Sequence, residues 1–189
     1  MQLLKDKILK FGKIYPDKIL KVDSFLNHQV DVGLLEEIGK EFHRIFAGSE
    51  VTKILTIEAS GIGIAAFTAR EFCVPMLFAK KSQTKNIASE VYTSKVMSYT
   101  HGRVYDIIVS KEFLHPEDKV LIVDDFLANG AALDGLIDLV KQAGATLVGC
   151  GIVIEKGFQD GGERLRSQGV RIESLAIVDE MTDTSIKFR

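Results

Sequence analysis

The stretch from Lys119 to Gly130, KVLIVDDFLANG, constrains the fold more than any other part of the chain. Val120, Leu121, Ile122 and Val123 form a short, continuous apolar run of the kind found in a strand buried on both faces of a parallel sheet. Asp124 and Asp125 follow where such a strand is expected to leave the core. Asn129 and Gly130 then precede Leu133, Leu136, Ile137 and Val140, whose three-and-four spacing predicts a helix. In open α/β sheets, ligands bind beyond the carboxyl ends of the strands, and a helix N-terminus fed by a Gly-containing turn offers free N–H groups to an anion. The stretch therefore reads as a phosphate site with two acids beside it.

The same pattern recurs along the chain. LLKDKILKF predicts an amphipathic helix closed by Gly12, and Asp31 is placed to cap a helix running to Phe46. KIYPDKILKVDSFLNHQVD has neither helical nor strand periodicity and is expected to form a small separate substructure. Lys53 to Ile57 is a buried strand ending in EASGIGIAAF, an acid and a Gly turn, with a helix to Phe72 and the strand VPMLFAK after it. Lys81 to Ser94 is polar, aperiodic and long for a compact connection, as expected of a functional loop. VMSYTHG and VYDIIVS suit a hairpin around Gly102. GATLVGCGIVIEK is another buried strand, ending in Glu155 and Lys156, and VRIESLAIV is the last one expected. This alternation predicts an α/β fold, a mostly parallel central sheet with helices on both faces. No repeat, linker or low-complexity tract divides the 189 residues, so one domain is expected over residues 1–189.

Composition excludes more than it assigns. A net charge of −2 supplies no basic footprint for nucleic acid. The N-terminus has no apolar run long enough for a signal peptide or a membrane span. Cys73 and Cys150 both lie in apolar segments and are expected to be packed, reduced thiols, which favours a cytoplasmic setting. His28, His43, His101 and His115 lack metal-ligand spacing, so no zinc site is expected.

Three strand ends, TIEASG, IVDDFLANGAA and IVIEKGF, would form one site if they met at one sheet edge. IVDDFLANGAA resembles the phosphoribosyl diphosphate (PRPP) signature of the type I phosphoribosyltransferases, in which an apolar strand precedes two acids, two apolar residues and a small-residue loop. TIEASGIGIA resembles that family's pyrophosphate loop, and the polar stretch after Lys81 resembles its lid. DSFLNHQVD and GIVIEKGF look closest to the bacterial xanthine-salvage branch. The likeness covers nearly the whole chain, and it implies a small hood built from about 14–30 and 156–189.

The resemblance implies transfer of a 5-phosphoribosyl group from PRPP to xanthine, giving xanthosine 5'-monophosphate and pyrophosphate in purine salvage. Asp124 and Asp125 would hold the ribose hydroxyls. The N–H groups of Ala128, Asn129, Gly130, Ala131 and Ala132 would wrap the 5-phosphate, and Glu58, Ala59, Ser60 and Gly61 would line the pyrophosphate. Lys80 and Lys81 resemble a basic pair that reaches pyrophosphate, in some members across a homodimer. Mg²⁺ is implied as a rider on PRPP, with no direct side-chain ligand assigned. For the base, the likeness carries over Leu20, Asn27 and Lys156: Lys156 and Asn27 donate to keto groups, Leu20 makes an apolar or backbone contact, and Phe126 and Phe158 lie near the rings. Where the hypoxanthine-guanine branch has a presumed general-base Asp, this chain has Ala128, so no side-chain base is expected there. Asn129 stands where Thr or Ser is usual, which puts one hydroxyl contact in doubt. The alternatives are the same chemistry on guanine or hypoxanthine, and a non-catalytic PRPP-sensing purine regulator. Such regulators carry an added DNA-binding domain, and the fifty or so residues before the first buried strand hold no basic recognition helix.

Overall fold

The computed structural model of the chain describes residues 1–81, 90–98 and 103–189. Its centre is a six-stranded sheet of order β10-β9-β8-β7-β3-β4. The strands are β3 (Lys53–Ile57), β4 (Met76–Ala79), β7 (Lys119–Leu127), β8 (Thr146–Lys156), β9 (Ile172–Met181) and β10 (Ile186–Phe188). All neighbours pair parallel except β10 with β9. β3 is buried along its whole length, Lys53 and Thr56 included, as a central strand of a parallel sheet is.

Helices cover both faces. On one face lie α1 (Gln2–Phe11), α2 (Val32–Ile45) and α3 (Gly61–Phe72), whose Leu4, Ile8, Leu35, Ile38, Phe42 and Ile64 pack with Leu121 and Val123 of β7. On the other lies α4 (Ala131–Gln142), whose Leu133, Leu136, Leu139 and Val140 meet Val120 and Ile122. Successive β7 side chains thus feed opposite cores, the strand's period of two made visible. The short α5 (Gly161–Ser167) buries Leu165 in the same second core. Asp31 caps α2 as expected, accepting from Leu34 N–H at 3.0 Å.

The segment without periodicity folds as a two-stranded hairpin, β1 (Lys13–Tyr15) and β2 (Ile19–Lys21), followed by one wide helical turn at Asp23–Asn27. Leu20, Val22, Phe25 and Leu26 bury against the first core, anchoring this substructure on the sheet. A second hairpin, β5 (Val91–Ser98) and β6 (Arg103–Ser110), leans on the β4 edge, where Lys80 and Ile108 exchange two backbone hydrogen bonds. No helix among the described residues is long and apolar enough to cross a membrane.

Five expectations need correction. β7 does not end at Val123 but carries Asp124, Asp125, Phe126 and Leu127 as strand, because β8 continues to pair with it as far as Glu155. β9 is not the last strand: β10 returns antiparallel along it, a three-residue edge too short for a periodic signal. β4 is Met76–Ala79, narrower than VPMLFAK, with Lys80 in the bridge to the second hairpin. Val91 to Ser94 are strand and not loop, since cross-strand pairing with β6 overrides their polarity; residues 82–89 of the expected lid, and 99–102 with His101, lie outside the described residues. Cys73 is exposed at the end of α3 in a left-handed conformation, whereas Cys150 is buried as expected, its thiol pushed up to about 12 by burial and by the charge of Asp124.

A buried ion pair ties the lower edge of the sheet. Lys53 Nζ donates to Asp118 Oδ2 at 2.7 Å and to Phe113 O at 2.6 Å, while Asp118 also accepts from His115 N–H at 2.9 Å. Burial raises the Asp118 carboxyl, and the hydrogen bonds from Lys53 and His115 outweigh it to leave a net lowering. Removing one partner strands a buried charge, so Lys53→Met is expected to cost about 3–5 kcal/mol at pH 7 in urea unfolding. A carboxyl depressed in the folded state contributes stability above its unfolded pKa that is lost as pH falls. The wild type's advantage should therefore shrink in acid, and a pH-independent difference would contradict this account.

Candidate active site

The carboxyl ends of β3, β7 and β8 lie side by side, so the three charged or Gly-rich strand ends meet at one edge of the sheet. Asp124 and Asp125 occupy its centre, 4% and 8% exposed. Asp124 Oδ1 accepts from Asp125 N–H at 2.9 Å, and Asp125 Oδ1 from Phe126 N–H at 3.0 Å. Burial and the neighbouring Asp125 charge drive the Asp124 carboxyl well above the usual range, with Lys81 pulling the other way. The two acids point to different surroundings. Asp125 Oδ2 accepts from Asn27 Nδ2 at 3.2 Å, across 98 positions of sequence. Asp124 faces Gly61, whose hypothetical Cβ would sit 3.3 Å from Asp124 Oδ1 and 2.0 Å from Thr56 Oγ1. Only a residue without a side chain fits there.

The turn after β3 holds Glu58, Ala59, Ser60 and Gly61, the last beginning α3. Glu58 Oε1 accepts from Lys81 N–H at 2.6 Å, and Lys81 Nζ lies 5.6 Å from the ring centre of Tyr105 on β6. Lys80 Nζ lies 6.0 Å from the ring centre of Phe78, so the two lysines diverge. Tyr105, pushed up by burial and by Asp124, is a site-edge residue that the sequence did not single out. It arrives on the second hairpin through contacts that carry no local signal.

Beyond β7, Ala128, Asn129, Gly130, Ala131 and Ala132 turn into α4. Gly130 takes φ +86°, open to glycine at little cost. Asn129 Oδ1 accepts from Ala131 N–H at 3.0 Å, so one of the five expected amide donors is already engaged by its neighbour's side chain. The N–H of Ala132, in the first turn of α4, has no intrahelical acceptor and is available to an anion. Gly161 of α5 packs directly behind this loop, leaving no room for a side chain.

At the end of β8, Lys156 Nζ donates to Lys18 O at 3.2 Å in the first hairpin, and burial lowers its pKa. Lys18 Nζ in turn lies 5.2 Å from the ring centre of Phe158. Leu20, 6% exposed, belongs to the core beneath that hairpin. The preceding Glu155, 3% exposed, is clamped by Arg166 through two 2.7 Å hydrogen bonds and also accepts from Ser174. Asn27, Lys156 and the hairpin thus stand over the sheet edge that carries the two acids.

Residues 22–184 match the family model described as phosphoribosyl transferase domain. The chain is 61% identical over its whole length to a xanthine phosphoribosyltransferase of Lachnoclostridium phytofermentans, covering 98% of that protein. It is 57% identical, again over its whole length, to one of Alkaliphilus metalliredigens, covering 94% of it. Among solved structures, the adenine phosphoribosyltransferase of Giardia lamblia in complex with 9-deazaadenine superposes with a TM-score of 0.78 at 23% identity, covering 94% of this chain and 98% of that one. The Leishmania tarentolae adenine enzyme gives 0.77 at 21% identity, over 96% and 90%. At such identities the structural likeness speaks for the fold alone.

Proposed function

Because the chain belongs to the phosphoribosyltransferase family, we propose that it transfers 5-phosphoribosyl from PRPP to xanthine, forming xanthosine 5'-monophosphate and pyrophosphate. The observation that carries this reading is the 3.2 Å hydrogen bond from Asn27 to Asp125, which joins a hood residue to a sheet-edge acid. A ribose held by the acids would then lie beside a base held by Asn27 and Lys156. The whole-chain likeness to relatives named for xanthine supports the choice of base.

The transfer passes through a loosely bonded, oxocarbenium-like state, so positioning and charge stabilisation dominate. Asp124 and Asp125 hold the ribose hydroxyls under the carbon where positive charge grows. The α4 N-terminus, entered through Gly130, receives the 5-phosphate, and Glu58, Ala59, Ser60 and Gly61 with Lys80 and Lys81 face the pyrophosphate. Lys156, half-buried and already donating to Lys18 O, donates to one keto group of xanthine and Asn27 to the other, while Leu20 walls the pocket. The first hairpin and the C-terminal segment make the hood of a single domain, and the hydrogen bond from Lys156 Nζ to Lys18 O at 3.2 Å supports their union. Ala128 supplies no proton acceptor, so the base proton leaves to solvent or phosphate.

The donor set suits magnesium carried by the substrate. Two adjacent carboxylates border the site, which suits an ion that keeps most of its coordination to phosphate oxygens and water. Asp124 and Asp125 would hold Mg²⁺ through water, and the ion would offset charge on the departing pyrophosphate. A homodimer in the cytoplasm, the setting its two free thiols suit, completes the reading.

Purified protein with PRPP and Mg²⁺ should form nucleotide from xanthine in preference to guanine, hypoxanthine and adenine. Product chiefly from another purine would break the base assignment, and PRPP binding without turnover would favour a regulator. Asn27→Ala should raise KM for xanthine about tenfold or more, the worth of roughly one charge-independent hydrogen bond and its stranded partner. Equal rises for xanthine and PRPP would remove Asn27 as a reader of the base.

A further inference from the structure

The geometry points to Arg164 as a positioning residue that holds the 5-phosphate loop from behind, an inference that rests on the proposed PRPP site. Arg164 lies on α5, outside every motif that defines the site. Its Nη2 donates to Asn129 O at 3.2 Å and to Asp134 Oδ2 at 2.6 Å, and its Nη1 to Asp134 Oδ1 at 3.1 Å. One planar guanidinium thus ties the loop backbone to the first turn of α4, on either side of Gly130, Ala131 and Ala132. The same group lies 2.9 Å from where a Cβ on Gly130 would sit, so it also backs the residue with positive φ.

Stability does not explain the arrangement. The Arg164 and Asp134 side chains are 35% and 46% exposed, and ion pairs so open to water contribute little to folding. Geometry is what the pair supplies. Asn129 turns its carbonyl toward Arg164 while its own side chain accepts from Ala131 N–H, so both faces of that peptide region are fixed before any phosphate arrives. Donors fixed in advance need no reorganisation when the anion binds.

The test compares Arg164→Met, Arg164→Lys and Asp134→Asn with the wild type. Arg164→Met should raise KM for PRPP about tenfold, change KM for xanthine less than twofold, and move the melting temperature by no more than about 3 °C. In the ligand-free protein, amide exchange at Ala131, whose N–H is held by Asn129 Oδ1, should quicken about tenfold. Arg164→Lys keeps the charge but cannot serve both acceptors with a planar fork, so its KM for PRPP should stay near that of Arg164→Met. Asp134→Asn should shift both readouts in the same direction and covers the case in which Arg164→Met misfolds. A KM for PRPP within twofold of wild type, or full recovery with lysine, overturns the role. If the wild type neither binds nor turns over PRPP, the proposed function fails instead, and unchanged amide exchange in Arg164→Met then overturns the tether by itself.

Discussion

Replacing Asp124 with asparagine is expected to make the protein more stable at pH 7 and to lower kcat/KM for PRPP by about two to three orders of magnitude. Both effects come from one buried charge. Burial and the adjacent Asp125 raise the Asp124 carboxyl well above its ordinary value. Its unfolded pKa is about 3.9, so between that value and the raised folded one the native state binds a proton that the unfolded chain has released. Stability from such a group is fully present below the unfolded pKa and is lost as pH rises toward the folded one. Asparagine does not titrate, and its amide oxygen still accepts the Asp125 N–H that Asp124 Oδ1 receives at 2.9 Å. The variant should gain about 1–2 kcal/mol at pH 7, and its advantage should vanish near pH 3. Catalysis moves oppositely, because a carboxylate under a developing oxocarbenium ion acts as a preorganised counter-charge. Urea unfolding at several pH values and steady-state kinetics check the two halves. A variant less stable at pH 7 than at pH 3, relative to wild type, would refute the electrostatic account.

Gly161→Ala is expected to raise KM for PRPP about a hundredfold while leaving KM for xanthine nearly unchanged. A Cβ at Gly161 would lie 2.3 Å from Ala128 O, 2.4 Å from Asn129 C and 2.6 Å from Gly130 N. Every neighbour is backbone, so no side chain can swing aside. Restoring ordinary contact requires the loop of Ala128 to Gly130 or α5 to move by about an ångström, and a misplacement of that size costs on the order of 10²-fold in a preorganised site. Overpacking should also cost about 1–3 kcal/mol of stability. Isothermal titration with PRPP, set beside thermal melting, separates the effects. Unaltered PRPP affinity in a folded variant would mean that the loop does not hold the phosphate.

The elements whose burial is uniform are legible in the order of residues alone. The start of β7 announces itself as an apolar run, β3 by Ile54, Leu55 and Ile57, and α2 by its capping Asp31 and its three-and-four spacing. The paired acids, Asn129 and Gly130 stand within a few residues of one another, so their common site is local information. The shape of the first hairpin and of α5 is not legible in that way. Asp17 and Lys18 turn the first hairpin with φ of 63° and 55°, conformations unusual for these side chains and held by the pairing around them. α5 contains two glycines in seven residues and forms through packing against β8 and the phosphate loop, against its own propensity.

Chain chemistry by itself determined a parallel sheet with a Gly-fed helix start and two acids at a strand end, because the period of burial and the turn residues are properties of neighbouring positions. Which side chains share the site was decided only by tertiary structure. Asn27 reaches Asp125, Lys156 reaches Lys18, and Arg164 reaches Asn129 across 98, 138 and 35 positions. Contacts at such separations follow from how the sheet stacks its strand ends and where the hairpin and α5 pack upon them. No local pattern encodes that geometry, since each of these polar side chains would be equally well satisfied by water until the core beneath it closes.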